Sequence, residues 1–429
     1  MKAHQISDIL YYCFTVLISI LYFIGIPSVP FHPDESTQIY MSSDVEAFLS
    51  SPTDLFWQEH PQDLERQKYR ELDAPLTRTL IGLGRLIFGL EALPVDWNWS
   101  KDWQQNEQNG ALPDQDLLIA SRFFVAWLFP FSILLIYQTG KIINARTAGW
   151  VAAILFISNP LIWLHTRRAM AESVLVFSII LSVFIFLKFP NRIWISAIPV
   201  ALAFNSKQTS AGLILCGLII IALGFNKKKM KEIILSLFLF LIIFGTVSFL
   251  FNPFVWSNPF RSVQQALYER QSLILAQIND FGRQNENLVL NTVAKKSGSM
   301  IGHLFFVPLQ YAETQNNLQN LQNGIIQYGD QWINNNPFFV LQRGLLLFLS
   351  FLGFIYLIIM AMRKFPYNHN LMILFLSFFL TAFVLFISIP LAFQRYYVPI
   401  IPFLSMLSGF TFSEILILLN RVSNKTIND

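Results

Sequence analysis

Apolar runs of membrane-spanning character recur along the chain at 9–26, 117–138, 148–164, 171–187, 193–206, 208–225, 232–251, 339–361, 371–391 and 397–419. A helix needs roughly 20 mainly apolar residues to cross a bilayer, and lipid offers exposed backbone groups no partner. A chain with this pattern is expected to be all-α, a polytopic membrane protein with about ten transmembrane helices. Only 13% of its 429 residues are charged, against about 25% in soluble proteins. The run 193–206 is short and reads as a tilted or broken pair with its successor. The first run follows Lys2 as a signal peptide would, but Gly25-Ile26-Pro27 lacks a small-residue cleavage site, so it reads as an uncleaved helix. Cys13 and Cys216 lie inside apolar runs and supply neither a disulfide framework nor a cysteine metal site. A net charge of +4 from scattered Lys and Arg argues against a nucleic-acid partner.

Basic residues give the orientation, because short cytoplasmic loops collect them. With the N-terminus inside, the inside loops hold Lys141 with Arg146, Lys188 with Arg192, Lys227-Lys228-Lys229 with Lys231, and Arg363-Lys364, with Arg421 and Lys425 in the tail. Both termini are then cytoplasmic. Two long segments, 27–116 and 252–338, face outward. In the first, Leu76 to Leu90 is helical in pattern but interrupted by Arg78 and Arg85, and is expected to lie at the interface with its apolar face among headgroups. The second is rich in Asn and Gln, as in Asn334-Asn335-Asn336, yet keeps its aromatics, which favours a folded cap. The expected regions are therefore 1–251 with the external loop, the cap 252–338, and C-terminal helices in 339–429.

Five basic residues break the orientation rule. Arg122 heads the second span, Arg167 and Arg168 close the third, Lys207 separates the fifth and sixth, and Arg395 precedes the last. Snorkelling to headgroups explains any one of them. As a set they suggest convergence on an anionic ligand, since charge near a membrane boundary is costly unless paired. On the same side, Phe31-His32-Pro33-Asp34-Glu35 places two carboxylates directly after a span. Asp34 alternatively caps a helix starting at Glu35 or Ser36. A lone His32 is a weak metal-ligand candidate. Glu172 lies four residues after Arg168, a spacing that suits an ion pair or a carboxylate orienting Arg168 toward phosphate. The other external charges read as solvated.

The order of these residues resembles a known family. Asp34-Glu35 is followed by Asp73-Ala74-Pro75-Leu76, Ser121-Arg122-Phe123-Phe124, Thr147-Ala148-Gly149-Trp150 and Ser158-Asn159-Pro160. Arg167-Arg168-Ala169-Met170-Ala171-Glu172, Ala203-Phe204-Asn205-Ser206-Lys207 and Gln394-Arg395-Tyr396-Tyr397-Val398-Pro399 complete the series. It is similar to the GT-C superfamily of membrane glycosyltransferases, above all to protein O-mannosyltransferases and the lipid A aminoarabinose transferase. The likeness covers about half the chain, residues 30–225 and 394–410. It implies catalytic Asp34 with Glu35 beside it, and donor-phosphate binding by Arg122, Arg167, Arg168, Lys207 and Arg395. His32, Glu172 and Tyr396 would support them. The family often has His-Pro-Pro where this chain has Asp73-Ala74-Pro75.

The expected activity is that of an inverting hexosyl- or pentosyltransferase. It would move a sugar from a polyprenyl-phosphate donor to a lipid, glycan or protein acceptor hydroxyl at the outer face of a bacterial or archaeal plasma membrane. Arg and Lys grip phosphate oxygens and stabilise the charge that grows as the glycosidic bond breaks. Asp34 would take the acceptor proton. No cofactor is demanded; the carboxylates also suit a divalent cation, Mg or Mn, although no dedicated ligand spacing marks a site. The competing class is a transporter or flippase of a lipid-linked or anionic solute, but such proteins place ionisable groups at the midplane and often carry repeats.

Overall fold

The computed structural model describes residues 3–223, 229–313, 315–330, 337–362 and 369–426. Lys227, Lys228, Asn334–Asn336, Arg363 and Lys364 lie outside the described residues. The described chain is all-α, with a single isolated β-bridge between Val289 and Leu391. Among the described residues seven helices are long and apolar enough to cross a membrane: Gln5–Ile24, Gln115–Ile143, Ala171–Lys188, Met230–Phe251, Val340–Ile359, His369–Ser388 and Gln394–Arg421. Three shorter apolar helical stretches, Arg146–Ile157, Ile193–Phe204 and Gln208–Leu223, stand where three more full spans were expected.

The shortening has local causes. The expected span 148–164 breaks after Ile157, because Pro160 cannot donate to the preceding turn and instead opens a new helix, Pro160–His165. Asn159 caps that helix by accepting the Leu161 N–H at 3.0 Å. The run 193–206 opens with a 3-10 turn at Ile193–Ser196 and ends at Phe204, before the loop carrying Lys207. It is the broken pair that its length suggested.

Helices that face outward show it in their accessible residues. Along Met230–Phe251 only Ser236 and Phe240 are buried, while Ile234, Leu235, Phe238, Leu241 and Ile242 are exposed. A protein in water would not present such a face. The core lies among Gln115–Ile143, Arg146–Ile157, Ala171–Lys188 and the last helix, and the first helix packs onto it where Tyr11 stacks on Tyr137 at 3.7 Å and Tyr22 on Phe129 at 3.8 Å. The last helix packs its Gly409 directly on the Ala148 carbonyl, a close approach that any side chain would block. At the bundle end away from the long segments, Asp8 takes Lys141 at 3.1 Å and Arg146 at 3.4 Å.

Both long segments fold. The first contains Pro33–Met41, Asp44–Ser50, Leu64–Leu72, Pro75–Ile87 and Trp103–Gln108. The amphipathic helix expected at 76–90 is Pro75–Ile87, but its arginines point into the protein. Arg78 reaches Asp44 at 3.0 Å, and Arg85 binds Glu46 and the Ser42 hydroxyl, leaving Leu83, Ile87 and Phe88 exposed. The second segment contributes Pro259–Gln284, Val293–Ile301, a π turn at Gly302–Phe306, and Gln315–Asp330. It is tied to the first where the Trp57 N–H donates to the Phe254 carbonyl at 3.0 Å.

Candidate active site

The first acids stand where a helix start puts them. His32 is extended (φ −127°, ψ 135°) and Pro33 opens the helix with its φ already helical. The His32 Nδ1 accepts the Asp34 N–H at 3.1 Å, and the Glu35 carboxylate accepts the His32 N–H at 3.0 Å. This reciprocal cap satisfies two orphan donors. The cap is therefore His32 rather than Asp34.

Glu35 and Arg122 form a sealed unit. Arg122 donates from Nε to Oε1 and from Nη2 to Oε2, both at 2.7 Å, and neither side chain is exposed. The Ala169 N–H adds a third bond to Glu35 at 2.8 Å. Arg122 Nη1 reaches the carbonyls of Ile26 at 3.2 Å and Val29 at 2.9 Å. A buried pair with its lone pairs and protons used in this way holds segments in register. It joins the start of the first long segment, the second membrane helix and the 166–170 turn. Both were expected to act on substrate, and among the described residues each of their side-chain nitrogens and oxygens has a partner within the protein.

The adjacent arginines diverge. Arg168 binds the Pro30 carbonyl through Nε and Nη2 at 3.2 Å each and the Tyr311 carbonyl at 2.7 Å, while its buried Nη1 has no partner among the described residues. Arg167 turns away and lies over the rings of Trp163 at 4.0 Å and Tyr22 at 4.8 Å. Gly25 makes room for it, since a Cβ there would sit 2.7 Å from the Arg167 Nη1. Arg167 thus stands apart from the charges grouped around Asp34. The pairing of Glu172 with Arg168 fails as well. The helix begins at Ala171, so Arg168 is not on it, and Glu172 binds Lys207 at 2.9 Å instead.

What converges is a smaller group. Arg395 is paired with Asp34 and lies 3.0 Å from Glu313. Glu313 also takes the His32 Nε2 at 2.6 Å. Because His32 Nδ1 accepts a hydrogen bond, Nε2 carries the proton and donates it to Glu313. Tyr396 lies between the two cations, its ring centroid 5.1 Å from the Lys207 ammonium and 5.6 Å from the Arg395 guanidinium. The Asp34 side chain is 33% exposed, against 11% for Arg395 and 10% for Glu313, so it stands nearest the opening. Both nitrogens of buried His165 and the Glu172 Oε2 also lack partners among the described residues.

Glu313 was read as a solvated loop charge, and its burial corrects that. A reciprocal pair brings it in: the Gln310 N–H donates to Gln394 at 2.8 Å, and the Gln394 N–H to Gln310 at 3.1 Å. The sequence does carry a signal, because Glu313 is the one Asp, Glu, Lys or Arg between Lys296 and Asp330. Charges set the acid strengths. Burial would raise the Asp34 carboxyl, but Arg395 and then His32 hold it below the ordinary range. Glu313 follows the same pattern under Arg395 and His32. Asp73, partly buried at the joint between Leu64–Leu72 and Pro75–Ile87, goes the other way: desolvation raises it despite Arg270, Arg78 and Lys207.

Among the described residues no three His, Cys, Asp or Glu side chains converge as a metal site. Asp34, Glu172 and Glu313 are each committed to a Lys or Arg of the chain, a poor fit for a divalent ion.

Residues 62–265, a little under half of the chain, match the family model of dolichyl-phosphate-mannose-protein mannosyltransferases. No curated protein sequence matches the chain. Among solved structures, the oligosaccharyltransferase of Archaeoglobus fulgidus in the apo form superposes with a TM-score of 0.52 at 16% identity, over 97% of this chain and 52% of that one. The oligosaccharyltransferase AglB of the same organism, in complex with an inhibitory peptide and a dolichol-phosphate, gives 0.51 at 14% over 97% and 52%. ArnT from Cupriavidus metallidurans, bound to undecaprenyl phosphate, gives 0.50 at 14% over 96% and 61%. The chain spans about half the length of the first of these. It has the fold of the GT-C membrane glycosyltransferases.

Proposed function

We propose that this chain is an inverting glycosyltransferase that moves a sugar from a polyprenyl-phosphate donor to an acceptor hydroxyl, at an active site on the outer face of the membrane with both termini cytoplasmic. The observation that carries the reading is the grouping of Arg395, Lys207 and Tyr396 at helix ends beside a half-open carboxylate, Asp34. Helix ends are where a carrier must present its phosphate, because its isoprenoid tail stays in lipid. The AglB and ArnT structures carry dolichol-phosphate and undecaprenyl phosphate respectively, which supports a lipid-phosphate donor here.

Arg395 has its Nη1 on Asp34 and its Nε beside Glu313, and Nη2 makes no hydrogen bond among the described residues. That nitrogen, two of the Lys207 N–H bonds and the free Arg168 Nη1 are the donors the phosphate would meet. The three acids hold these cations in place beforehand, so little reorganisation is needed as charge builds on the departing phosphate. Asp34 fixes Arg395 and takes the proton of the acceptor hydroxyl. Glu35 and Arg122 act one layer below, keeping the Asp34 turn and the 166–170 turn together. The sugar is a hexose or pentose, and the acceptor a lipid, glycan or protein.

The test is a donor screen. Protein in lipid nanodiscs is offered polyprenyl-phosphate sugars, and free polyprenyl phosphate and glycosylated product are read by mass spectrometry. Turnover with a subset of donors is expected. Movement of labelled donor across vesicles without any transfer would favour a flippase and overturn the reading.

A further inference from the structure

Leu64–Leu72 of the first long segment packs against Pro259–Gln284 of the second, and a cleft of about 700 Å³ opens between them. That volume is within the range of about 300–1,000 Å³ usual for small-ligand sites. Its walls are held in place. The Trp57 N–H donates to the Phe254 carbonyl at 3.0 Å, and the Ser257 hydroxyl donates to the Trp57 carbonyl at 3.0 Å. Gln67 exchanges two hydrogen bonds with the Gln58 backbone, accepting its N–H at 3.0 Å and donating to its carbonyl at 2.8 Å. Glu71, 7% exposed, lines the same wall. Its Oε1 accepts from Gln67 at 3.3 Å, while its Oε2 makes no hydrogen bond among the described residues.

The lining selects among ligand chemistries. Its acids, Glu59, Glu71 and Glu269, outnumber Lys68 and Arg261, and Arg261 already reaches Glu59 at 3.5 Å. A phosphate would meet no surplus of positive charge there. Pro61 and Leu64 are its aliphatic members, too little apolar surface for an isoprenoid or acyl tail. What the cleft offers instead is amides, carboxylates and two aromatic rings, Trp57 and the 64%-exposed Tyr268. An amide both donates and accepts hydrogen bonds, as a sugar hydroxyl does. An aromatic face, negative at its centre, suits the C–H face of a sugar ring.

We propose that this cleft is a saccharide subsite, holding an uncharged outer sugar of the acceptor, and that the acceptor is therefore a glycan. The proposal rests on the glycosyl transfer proposed above and names the acceptor class for it. Trp57 and Tyr268 stack on the sugar ring, while Glu71 Oε2 and the amide of Gln264 take its hydroxyls. The reacting hydroxyl belongs to a neighbouring sugar of the same glycan. One connection joins the cleft to the catalytic groups. Glu269 in its wall is followed by Arg270, which donates to Gln208 at 3.2 Å, and Gln208 follows Lys207, the partner of Glu172.

Binding is measured first, without donor, on the full chain in nanodiscs by saturation-transfer NMR. The probes are tetrasaccharides of glucose, mannose and N-acetylglucosamine, with a Ser/Thr-rich octapeptide as the rival. Saturable binding of at least one tetrasaccharide is expected. Trp57→Ala and Tyr268→Ala should each weaken it about tenfold, the loss of one stacking face. Tyr268 is exposed, so its variant should keep the wild-type melting temperature. No saturable binding of any tetrasaccharide, or binding that both variants leave intact, would overturn the proposal. Binding of the octapeptide alone, lost in Tyr268→Ala, would assign the cleft to a peptide and overturn it equally. Transfer assays separate this failure from that of the proposed function. Where wild type glycosylates the bound tetrasaccharide, Tyr268→Ala should raise the acceptor KM about tenfold with kcat and donor KM unchanged. An unchanged acceptor KM would overturn the subsite and leave glycosyl transfer standing. Tetrasaccharide binding lost in both variants, with no donor turned over by the wild type, would uphold the saccharide cleft while glycosyl transfer itself fails.

Discussion

Replacing Arg122 with Met should destabilise the protein without removing a substrate contact. Four hydrogen bonds go with the guanidinium: two at 2.7 Å to Glu35, one at 3.2 Å to the Ile26 carbonyl and one at 2.9 Å to that of Val29. What remains is a fully buried carboxylate with only the N–H groups of Ala169 and His32 to hold its charge. Removing one member of a buried pair typically costs about 3–5 kcal/mol, because the other charge is left uncompensated. Glu35→Gln removes the opposite charge and should cost a similar amount, leaving Arg122 charged among carbonyls. The double variant Glu35→Gln with Arg122→Met should be clearly less destabilised than the sum of the two, by roughly 1–3 kcal/mol, as residues in contact couple. Unfolding in mixed micelles with increasing denaturing detergent reads all three. Additive losses, or a cost below about 1 kcal/mol for Arg122→Met, would refute the sealed pair and return both residues to the substrate.

Lys207→Gln and Arg395→Gln should each raise the donor KM about tenfold or more, since each removes a charge-assisted bond to phosphate; unchanged donor kinetics in a titration series would count against the phosphate role. Gly25→Ala places a methyl group 2.7 Å from the Arg167 guanidinium, and the overpacking should cost about 1–3 kcal/mol in the same detergent titration. Asp34 and Glu313 have carboxyl pKa values held below 3.8 and 4.5, their ordinary values. Groups lowered on folding stabilise above the unfolded value and stop doing so as pH falls through the folded one. Melting curves should therefore show the Arg395 anchorage complete above pH 4.5 and lost only at lower pH, with Glu313→Gln flattening that acid dependence.

Much of the fold was legible because hydropathy is a local property. Met230–Phe251 and His369–Ser388 lie within three residues of the runs read for them, 232–251 and 371–391. The count of full spans was less legible, since a run of apolar side chains continues across Ser158-Asn159-Pro160 while the backbone ladder stops there. Proline interrupts hydrogen bonds, not hydrophobicity. The arginines of Pro75–Ile87 mislead for a related reason. Arg78 and Arg85 break the apolar pattern in sequence, but Asp44 and Glu46, two residues apart on a separate helix, receive them inside the protein.

The site divides along the same line. The residue types at helix ends were visible, yet their partners were not, because Arg395 and Asp34 are 361 positions apart and Glu35 and Arg122 are 87 apart. Spacing along a helix favoured Arg168 for Glu172, but that argument holds only if both residues are helical, and the helix starts at Ala171. Lys207, far away in sequence, wins the carboxylate instead. Pairing also inverts the value of conspicuous residues. Glu35 and Arg122 look most reactive as bare charges, and they are the most fully satisfied in place. Arg395 and Lys207 are paired as well, yet among the described residues each keeps N–H bonds unspent at a helix end, and that remainder rather than bare charge is what is available for chemistry.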